Sequence, residues 1–413
     1  MDILVLDTNF VAKAIVDTYE SLIWTDRFNA YGDFEIYTAI DLRVLNNLKK
    51  DYYLLTQKSE HVMIIDTIQK DTDAEDGDKL IVTGRSLESI LSRRIIWKQT
   101  VLTGNLQNGI KKLLDENIIS PEIAERKIDN FIFEASDDPA ITELNIDAQF
   151  TGDNLYDVIY SICLEYNIGF KVTLNDNNQF VFKLYAGIDR SYAQLRNPYV
   201  VFSPNFENII NSNFVSSNRN LKTITLVAGE GEGVDRKTTV VEAASGGGSG
   251  LNRREMFTDA RDISTTTTDG ETVPIEEYNS QLAQRGSADL SENTFIEYFD
   301  GQVDTNNTYK YGEDFFMGDI VQFADGYGNE TKSRVTEFIY SHDVNGEDSY
   351  PTFSAVPEDA SQTSDLAFID DGAGNVTSIS GLALTDDGAG NAENMSDLML
   401  TDDGNGNVSE VDN

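Results

Sequence analysis

The sequence has few of the residues from which metal sites and nucleophilic sites are commonly built. It contains one cysteine, Cys163, and two histidines, His61 and His342, in 413 residues. A single cysteine excludes a disulfide framework and a zinc site of paired cysteines, and its apolar neighbours predict a buried thiol. Neither histidine has a Cys or another His at ligand spacing, so a catalytic triad or a histidine-based zinc site is hard to build.

Positive charge is also scarce. The chain has 31 Lys and Arg against 71 Asp and Glu, which gives a formal net charge of -40, and no Lys or Arg follows Arg334. Because phosphate contacts require basic residues, we expect no specific nucleic-acid binding and repulsion from anionic membranes. Acidic residues are so numerous that no pair stands out as a glycosidase-type pair, and we predict that the chain is not an enzyme.

Long hydrophobic runs are missing too. No stretch approaches the roughly 20 apolar residues of a membrane span. The opening residues "MDILVLDTNF" lack the basic start and apolar core of a secretory signal, which predicts a soluble protein made in a cytoplasm. The glycine-rich stretch "GEGEG" (229–233) is interleaved with acids and is followed by a strand-like segment. It therefore predicts a turn rather than a phosphate loop, and we expect no cofactor.

What is present is enough apolar surface for packed cores, at 40% hydrophobic and 10% aromatic residues. Residues 1–103 are strand-rich, and 200–357 are strand-rich again, with a glycine- and serine-rich loop at 243–252. The stretch 104–199 combines helical periodicity with a hairpin. These patterns predict a mainly β protein with an α+β insert.

The helices and the hairpin have the clearest local signals. A short helix is expected to begin near Ser86, and a later helix to be capped by Asp153 and to end at Gly169. The segment 170–184 alternates around "NDNN", which predicts a β-hairpin. The expected apolar faces of the two longer helices are Leu106, Ile110, Leu113 and Leu114, and Leu155, Val158, Ile159 and Ile162.

Several phrases occur in a familiar order. They are "YGDFEI" (31–36), "LIVTGRSLESILSRRIIW" (80–97), "VVFSPNFENIINSNFVSSNRNLKTITLVAGEGEGVDRKTTVVE" (200–242), "SGLNRREMFTDARDI" (249–263) and "FFMGDIVQF" (315–323). In this order the chain resembles the siphophage tail-hub family, related to the baseplate hubs and tail-associated proteins of tailed phages and phage-tail-like particles. The resemblance covers roughly residues 1–357.

This resemblance implies two tube-protein-like β-barrel domains, 1–103 and 200–357, with 104–199 as the insert domain. It implies a homotrimeric ring at the virion tail tip, assembled in the host bacterial cytoplasm, that closes the distal tail tube. The implied partners are tail-tube and distal tail proteins, a tip, spike or fibre protein, and a tape-measure protein in the lumen. Acidic lumen walls would keep DNA moving during ejection. The alternatives are a tail-associated cell-wall hydrolase acting through Asp or Glu, and a host-surface adhesin.

Three arginines form a basic island in this acidic chain. Arg85, Arg93 and Arg94 lie within one of the shared phrases. They are candidates for pairing with carboxylates across a subunit interface, and the alternative is that they only solvate one face.

Residues 358–413 contain a 16-residue unit used three times, at 364–379, 380–395 and 396–411. In each copy an L-x-(L/F) pair precedes "DDGxGN", which predicts strand, tight turn and strand. The predicted apolar core positions of this C-terminal β-repeat are Leu366, Phe368, Leu382, Leu384, Leu398 and Leu400.

Three interpretations of the repeat stay open. The doublets supply oxygen ligands for calcium, although the spacing matches no EF-hand loop. The calcium candidates are Asp370, Asp371, Asp386, Asp387, Asp402 and Asp403. The repeat could instead be a flexible acidic tail, or a stack of hairpins that buries its few apolar side chains on trimerisation and docks a tip or fibre protein.

Overall fold

The computed structural model describes residues 1–40, 46–73, 77–233, 236–266, 272–303, 308–325, 327–344 and 346–356, and the backbone of six strands between 368 and 410. At 73, 77, 210–212 and 296–302 it describes the backbone alone. The chain divides into two compact units, Met1–Val356 and Pro357–Asn413.

The first β module consists of strands whose alternate side chains face one core. In the strand Asp33–Ala39, Phe34, Ile36 and Thr38 are buried while Glu35 is exposed, as the two-residue period of a strand requires. The core also contains Ile3, Val5, Leu22, Trp24, Leu80 and Val82. The strands are β1 (Ile3–Leu6), β2 (Ala12–Val16), β3 (Ser21–Arg27), β4 (Asp33–Ala39), β5 (Tyr53–Leu55), β6 (Met63–Asp73) and β7 (Gly77–Ser86).

The insert follows, and in the structure we take it as residues 87–185, because Leu87, Ile90 and Leu91 share its core. Its elements are a 3-10 helix (Leu87–Arg93), β8 (Thr100–Asn105), α1 (Leu106–Leu114), a π-helical turn (Asp115–Ile119), a 3-10 turn (Ala124–Arg126), β9 (Phe131–Glu134), α2 (Pro139–Thr142), β10 (Asn145–Phe150), α3 (Leu155–Glu165), β11 (Gly169–Leu174) and β12 (Phe180–Tyr185). β8 pairs with β10, and β11 pairs with β12 as the predicted hairpin. The predicted apolar faces of α1 and α3 are all buried.

The two predicted caps were wrong. The short helix expected near Ser86 does begin there, as a 3-10 helix, but Ser86 makes no side-chain cap; its hydroxyl accepts a hydrogen bond from the Gly32 backbone N–H at 2.7 Å. The cap of α3 is Asn154, whose side chain accepts from the Tyr156 N–H at 2.9 Å. Asp153 lies one residue too early for that geometry.

The second β module is interrupted by a small α/β module. The elements are β13 (Val201–Phe202), a 3-10 turn (Pro204–Phe206), β14 (Ile209–Ser217), β15 (Ile224–Ala228), β16 (Thr238–Glu242), a 3-10 turn (Gly250–Asn252), β17 (Glu255–Asp259), α4 (Ile275–Ser291), β18 (Ile296–Val303), β19 (Ile320–Ala324), β20 (Glu330–Asp343) and β21 (Gly346–Ala355). The second β module has its own aromatic core, around Phe202, Phe315, Phe323 and Phe353.

The helix α4 was not predicted from the sequence. It packs its few apolar residues, among them Tyr278 and Leu282, on the sheet β16-β15-β17. Gly286 permits a close approach, because a Cβ there would lie 2.6 Å from Val227 Cγ2. The glycine- and serine-rich loop 243–252 lies between β16 and β17, within this module.

The strand β20 joins the two β modules. Its first part pairs with β19, with Arg334 opposite Ile320, and its second part pairs with β3, with Glu337 opposite Arg27. An irregularity between Val335 and Glu337 in its pairing with β21 separates the two parts. The result is one 11-stranded sheet, in the order β13-β19-β20-β3-β4-β7-β6-β5-β1-β2 with β21 also on β20. The predicted fold class, mainly β with an α+β insert and a C-terminal β-repeat, is confirmed.

In the second unit each repeat contributes two strands. They are β22 (Phe368–Asp370), β23 (Val376–Ser378), β24 (Leu384–Asp386), β25 (Asn391–Asn394), β26 (Met399–Asp402) and β27 (Val408–Glu410). β22 pairs with β23, and the other four form one antiparallel sheet in chain order. This confirms the predicted strand, turn and strand of each unit, although the turns themselves lie outside the described residues.

Candidate functional site

The structure gives each of the three predicted interface arginines a partner within the chain. Arg85 Nε lies 2.6 Å from Asp66 Oδ2, and this bond holds the pKa of Arg85 above its usual value. Arg93 Nη2 lies 3.2 Å from Asp51 Oδ1, and Arg94 Nε donates to the Arg126 carbonyl at 2.9 Å. Pairing across a subunit interface therefore stays a prediction.

Two of these arginines, Arg93 and Arg94, are followed in the sequence by exposed apolar side chains. Trp97 is 57% exposed and Ile95 is 41% exposed, and the Arg126 guanidinium carbon lies 5.3 Å from the centre of the Trp97 ring. We call Arg93, Arg94, Ile95, Trp97 and Arg126 the arginine patch. Tryptophan and arginine are the residues that most often dominate protein interfaces. Arg85 contacts Asp66 and Tyr31 instead.

A second site lies where the two β modules and the insert meet, around the buried ring of Phe28. The Tyr185 hydroxyl donates to the Phe28 carbonyl at 3.0 Å, and the Arg334 guanidinium carbon lies 5.1 Å from the centre of the Phe28 ring. A Cβ on Gly169 or Gly318 would lie 2.6 Å or 2.3 Å from that ring, and Gly318 has φ +88°. Both positions therefore exclude side chains. We call these five residues, with Arg190 and Asp319, the central joint.

The polar groups of the central joint are closely paired. Arg190 Nε lies 2.6 Å from Asp319 Oδ2, and both side chains are buried. Asp319 also accepts from the Ile188 N–H at 2.7 Å and the Phe316 N–H at 3.1 Å. Arg334 donates to the Gly318 carbonyl at 2.7 Å, and burial lowers the pKa of Arg334 to about 10. Asp319 thus has a structural role, as does the glycine of its turn.

A third group joins the first β module to the insert. His61 Nδ1 lies 3.1 Å from Glu88 Oε1, and the same oxygen accepts from the Val172 N–H of β11 at 2.8 Å. Burial opposes a charge on the ring, but the Glu88 and Asp26 carboxylates outweigh it and raise the pKa of His61 to about 9. Burial likewise opposes the charge on Glu88, but His61 lowers the pKa of that carboxyl, whereas burial raises the pKa of Asp26.

This third group has the chemistry of a general base, but its position favours a structural role. His61 is 4% exposed and Glu88 0% exposed. A catalytic base has to reach a substrate, and a buried ring that is paired with Glu88 of the 3-10 helix does not. The network therefore serves to fasten the insert.

The calcium candidates stay a prediction. The backbone of Asp370, Asp386 and Asp402 lies at the ends of β22, β24 and β26, while Asp371, Asp387 and Asp403 lie outside the described residues. The same holds for the repeat core: Phe368, Leu384 and Leu400 are strand residues, and Leu366, Leu382 and Leu398 are not described. Elsewhere, in the part of the chain that the structure describes, no His, Cys, Asp and Glu cluster could hold a metal ion.

The comparisons with known proteins agree with this architecture. The family model of siphovirus ReqiPepy6 Gp37-like proteins matches residues 2–353. The chain belongs to this family. Its predicted resemblance to siphophage tail proteins is thereby confirmed, whereas no curated protein sequence matches it.

Solved structures of prophage tail proteins share the fold. Gp18 from Listeria monocytogenes EGD-e is 15% identical with a TM-score of 0.50, over 86% of this chain and 94% of that one. A tail protein from Neisseria meningitidis MC58 is 13% identical with a TM-score of 0.51, over 86% and 96%. The 43 kDa tail protein of prophage MuSo2 from Shewanella oneidensis is 9% identical with a TM-score of 0.51, over 86% and 98%.

Sequence reasoning found part of these sites in this Gp37-like chain. It singled out Arg93 and Arg94 but left out Trp97, although this tryptophan follows them closely and ends the shared phrase 80–97. It noted His61 without a partner, since Glu88 is distant in sequence.

None of the described helices has both the length and the apolar character that a membrane crossing needs.

Proposed function

We propose that this chain is a structural hub protein of a phage tail tip, forming a homotrimeric ring that closes the distal tail tube. One observation carries the proposal: two β modules, each with its own core, are joined through the single strand β20 in a member of a siphovirus tail protein family. The role is mechanical, so no catalytic residue is assigned.

The shared strand suits a ring subunit. Two β modules on one sheet cannot rotate freely against each other, and three such subunits would present six similar modules to a six-fold tail tube. The central joint adds a second fixed contact between the modules. Symmetry of this kind places the same surface patch at every subunit contact of the ring.

The arginine patch is the proposed subunit contact. A chain with a net charge of -40 repels its own copies, so association needs local charge complementarity. The patch offers an exposed tryptophan with Arg126 over its ring, and Arg93 and Arg94 a few residues earlier in the chain; any acidic face of the next subunit would complement it. Electrostatic matching of this kind contributes specificity and association rate.

Light scattering on the purified full chain tests the ring. We expect a mass of three 45.9 kDa subunits and ring-shaped particles in electron micrographs. Trp97→Ala should weaken the trimer by about tenfold or more in dissociation constant, whereas Leu195→Ala, at an even more exposed apolar residue outside the patch, should not. A chain that stays monomeric at high concentration and does not bind tube protein would overturn the proposal.

The C-terminal repeat is proposed to dock a tip, spike or fibre protein. Deleting 364–413 should leave the ring intact and abolish the attachment of that component in assembled particles. Loss of the trimer itself would contradict this division of roles. Since no lysine or arginine follows Arg334, a basic partner surface is the complementary one.

The acids are proposed to line the lumen and to keep passing DNA from binding. Replacing lumen acids by amides should slow DNA ejection, and unchanged ejection would contradict this role.

A hydrolase is the alternative from another functional class. A zymogram of the purified chain on cell walls distinguishes the two, since a zone of clearing would exclude a purely structural role.

A further inference from the structure

A cleft lies between the insert and the α/β module, on the described part of the chain. It is formed by β10, α3 and α4 and has a volume of about 290 Å³, near the lower end of the range for ligand pockets. Its floor includes the apolar side chains Ile146, Val158 and Ile263. We call it the polar cleft because of the residues described next.

Two glutamines that line the polar cleft have no hydrogen-bond partner among the described residues. Gln149 is 2% exposed and Gln281 is 1% exposed. In both side chains the amide nitrogen and the amide oxygen are buried and have no partner among the described residues. Leaving a buried polar group unpaired costs about 1–3 kcal/mol, and such groups are nearly always satisfied in folded proteins. Four unpaired atoms in one cleft therefore indicate a polar occupant.

The charge of the polar cleft defines the occupant further. Its lining includes five acids and one arginine, Arg285, which is itself paired with Asp262 at 2.7 Å. Burial raises the pKa of one of the acids, Glu165, to about 8, so this carboxyl is neutral near pH 7 and the attraction of a cation falls to the other four. The acids are Asp153, Asp157, Glu165, Asp289 and Glu292.

We propose that the polar cleft binds a lysine or arginine side chain, together with its adjoining peptide group, from a partner polypeptide. A peptide group offers one N–H and one carbonyl, which complement the oxygen and the nitrogen of a glutamine amide. The acids that line the cleft complement the ammonium or guanidinium group. The inference goes beyond the ring and does not depend on it, because it concerns one subunit.

Calorimetry with small probes on the full chain tests the proposal. The probes are N-acetylarginine methylamide and N-acetylcitrulline methylamide, which has nearly the same shape without the charge. We expect the arginine probe to bind at least about tenfold more tightly, and added salt to reduce the difference. Equal binding of the two probes, or no binding of the arginine probe at millimolar concentration, would overturn the proposal.

Variants separate the cleft from the rest of the acidic surface. Gln149→Leu with Gln281→Leu should weaken the arginine probe about tenfold or more without lowering the thermal midpoint, because the unpaired amides are removed. Asp157→Asn should weaken it too, whereas Asp176→Asn, at an exposed acid in the β11–β12 turn, should not. Unchanged binding in the glutamine double variant would contradict the site.

A further probe distinguishes a peptide ligand from a free cation. Spermidine carries charge but no peptide group, so it should bind more weakly than the arginine probe and should be unaffected by the two leucine substitutions. Spermidine binding that is equally tight and equally sensitive to those substitutions would overturn the peptide ligand. Failure of the trimer in light scattering would leave this result unaffected, so the two proposals fail separately.

Discussion

The central joint and the polar cleft are both contacts between modules of one chain, yet they are completed in different ways. At the central joint the Asp319 carboxylate accepts three hydrogen bonds from the chain itself. In the polar cleft the amides of Gln149 and Gln281 accept and donate none within the described residues. A contact that satisfies its own polar groups holds modules together, whereas one that leaves them unpaired has room for another molecule.

The two contacts also differ in charge. The buried carboxylate of the central joint is opposed by Arg190, with Arg334 close by on the Gly318 carbonyl. The polar cleft has five acids and one arginine, which is paired with Asp262. Basic residues are few in a chain this acidic. Two of them stabilise the central joint, whereas the acids of the polar cleft are left without such partners among the residues that the structure describes.

Removing a charge from the central joint gives the largest expected effect. Arg190→Met leaves Asp319 buried without its ionic partner, which should lower the free energy of unfolding by about 3–5 kcal/mol. Urea titration measures it. The matched control is Lys111→Met, which breaks an exposed pair with Asp115 and should cost less than about 1 kcal/mol. Similar losses in both variants would show that the joint is not special.

A side chain at Gly318 tests the close packing of the central joint. Gly318→Ala combines a left-handed backbone, φ +88°, with a Cβ 2.3 Å from the Phe28 ring. Gly104→Ala has the same backbone strain at φ +83° and nothing within 4 Å. We expect Gly318→Ala to cost about 1–3 kcal/mol more than Gly104→Ala. Equal costs would mean that the joint yields easily and that packing there contributes little.

How well the sequence predicted the structure differs between these regions. Local patterns sufficed for α1, α3 and the hairpin, because their apolar residues repeat at helical or strand spacing over short distances. The helix α4 has few apolar residues and a glycine in its interior, so periodicity does not reveal it. It is stabilised by packing on a sheet formed by residues distant in sequence, and such tertiary effects override propensity.

The sites were harder to predict than the elements. The phrase that contains Arg93 and Arg94 pointed to an interface, and the structure adds Trp97, which is exposed and lies against Arg126. The central joint unites Phe28 with Gly318, residues from opposite ends of the first unit, and no local pattern links them. The polar cleft depends on Gln149 and Gln281 having no partner, which is a property of the packed chain.

Alkaline titration compares the polar cleft with the His61–Glu88 group that fastens the insert, at one ionisable residue in each. The pKa of His61 is raised to about 9 by its carboxylate partners, so its stabilisation is complete below pH 6.5 and is lost as the pH rises to about 9. Burial raises the pKa of Glu165 to about 8, so its contribution is complete below pH 4.5 and is lost by about pH 8.

Each loss amounts to at most about 1.4 kcal/mol per pH unit. In urea titrations from pH 5 to 10, His61→Gln should remove the decline between 6.5 and 9, and Glu165→Gln the decline between 5 and 8. The second variant should leave the first decline in place. A wild-type profile that is flat over this range would contradict both assignments.

The exposed ion pair of Arg93 and Asp51 should give the smallest change in the free energy of unfolding. Arg93 and Asp51 are both largely exposed, 3.2 Å apart, and such pairs contribute about 0–1 kcal/mol. Arg93→Ala should therefore change the free energy of unfolding of the isolated subunit by less than about 0.5 kcal/mol, as should the control Arg196→Ala at another exposed arginine. If the arginine patch is a subunit contact, Arg93→Ala should weaken the trimer in sedimentation experiments and Arg196→Ala should not. The reason is that only Arg93 would face a carboxylate of the neighbouring subunit. A loss of subunit stability above about 1 kcal/mol would instead place Arg93 among the residues that hold the modules together.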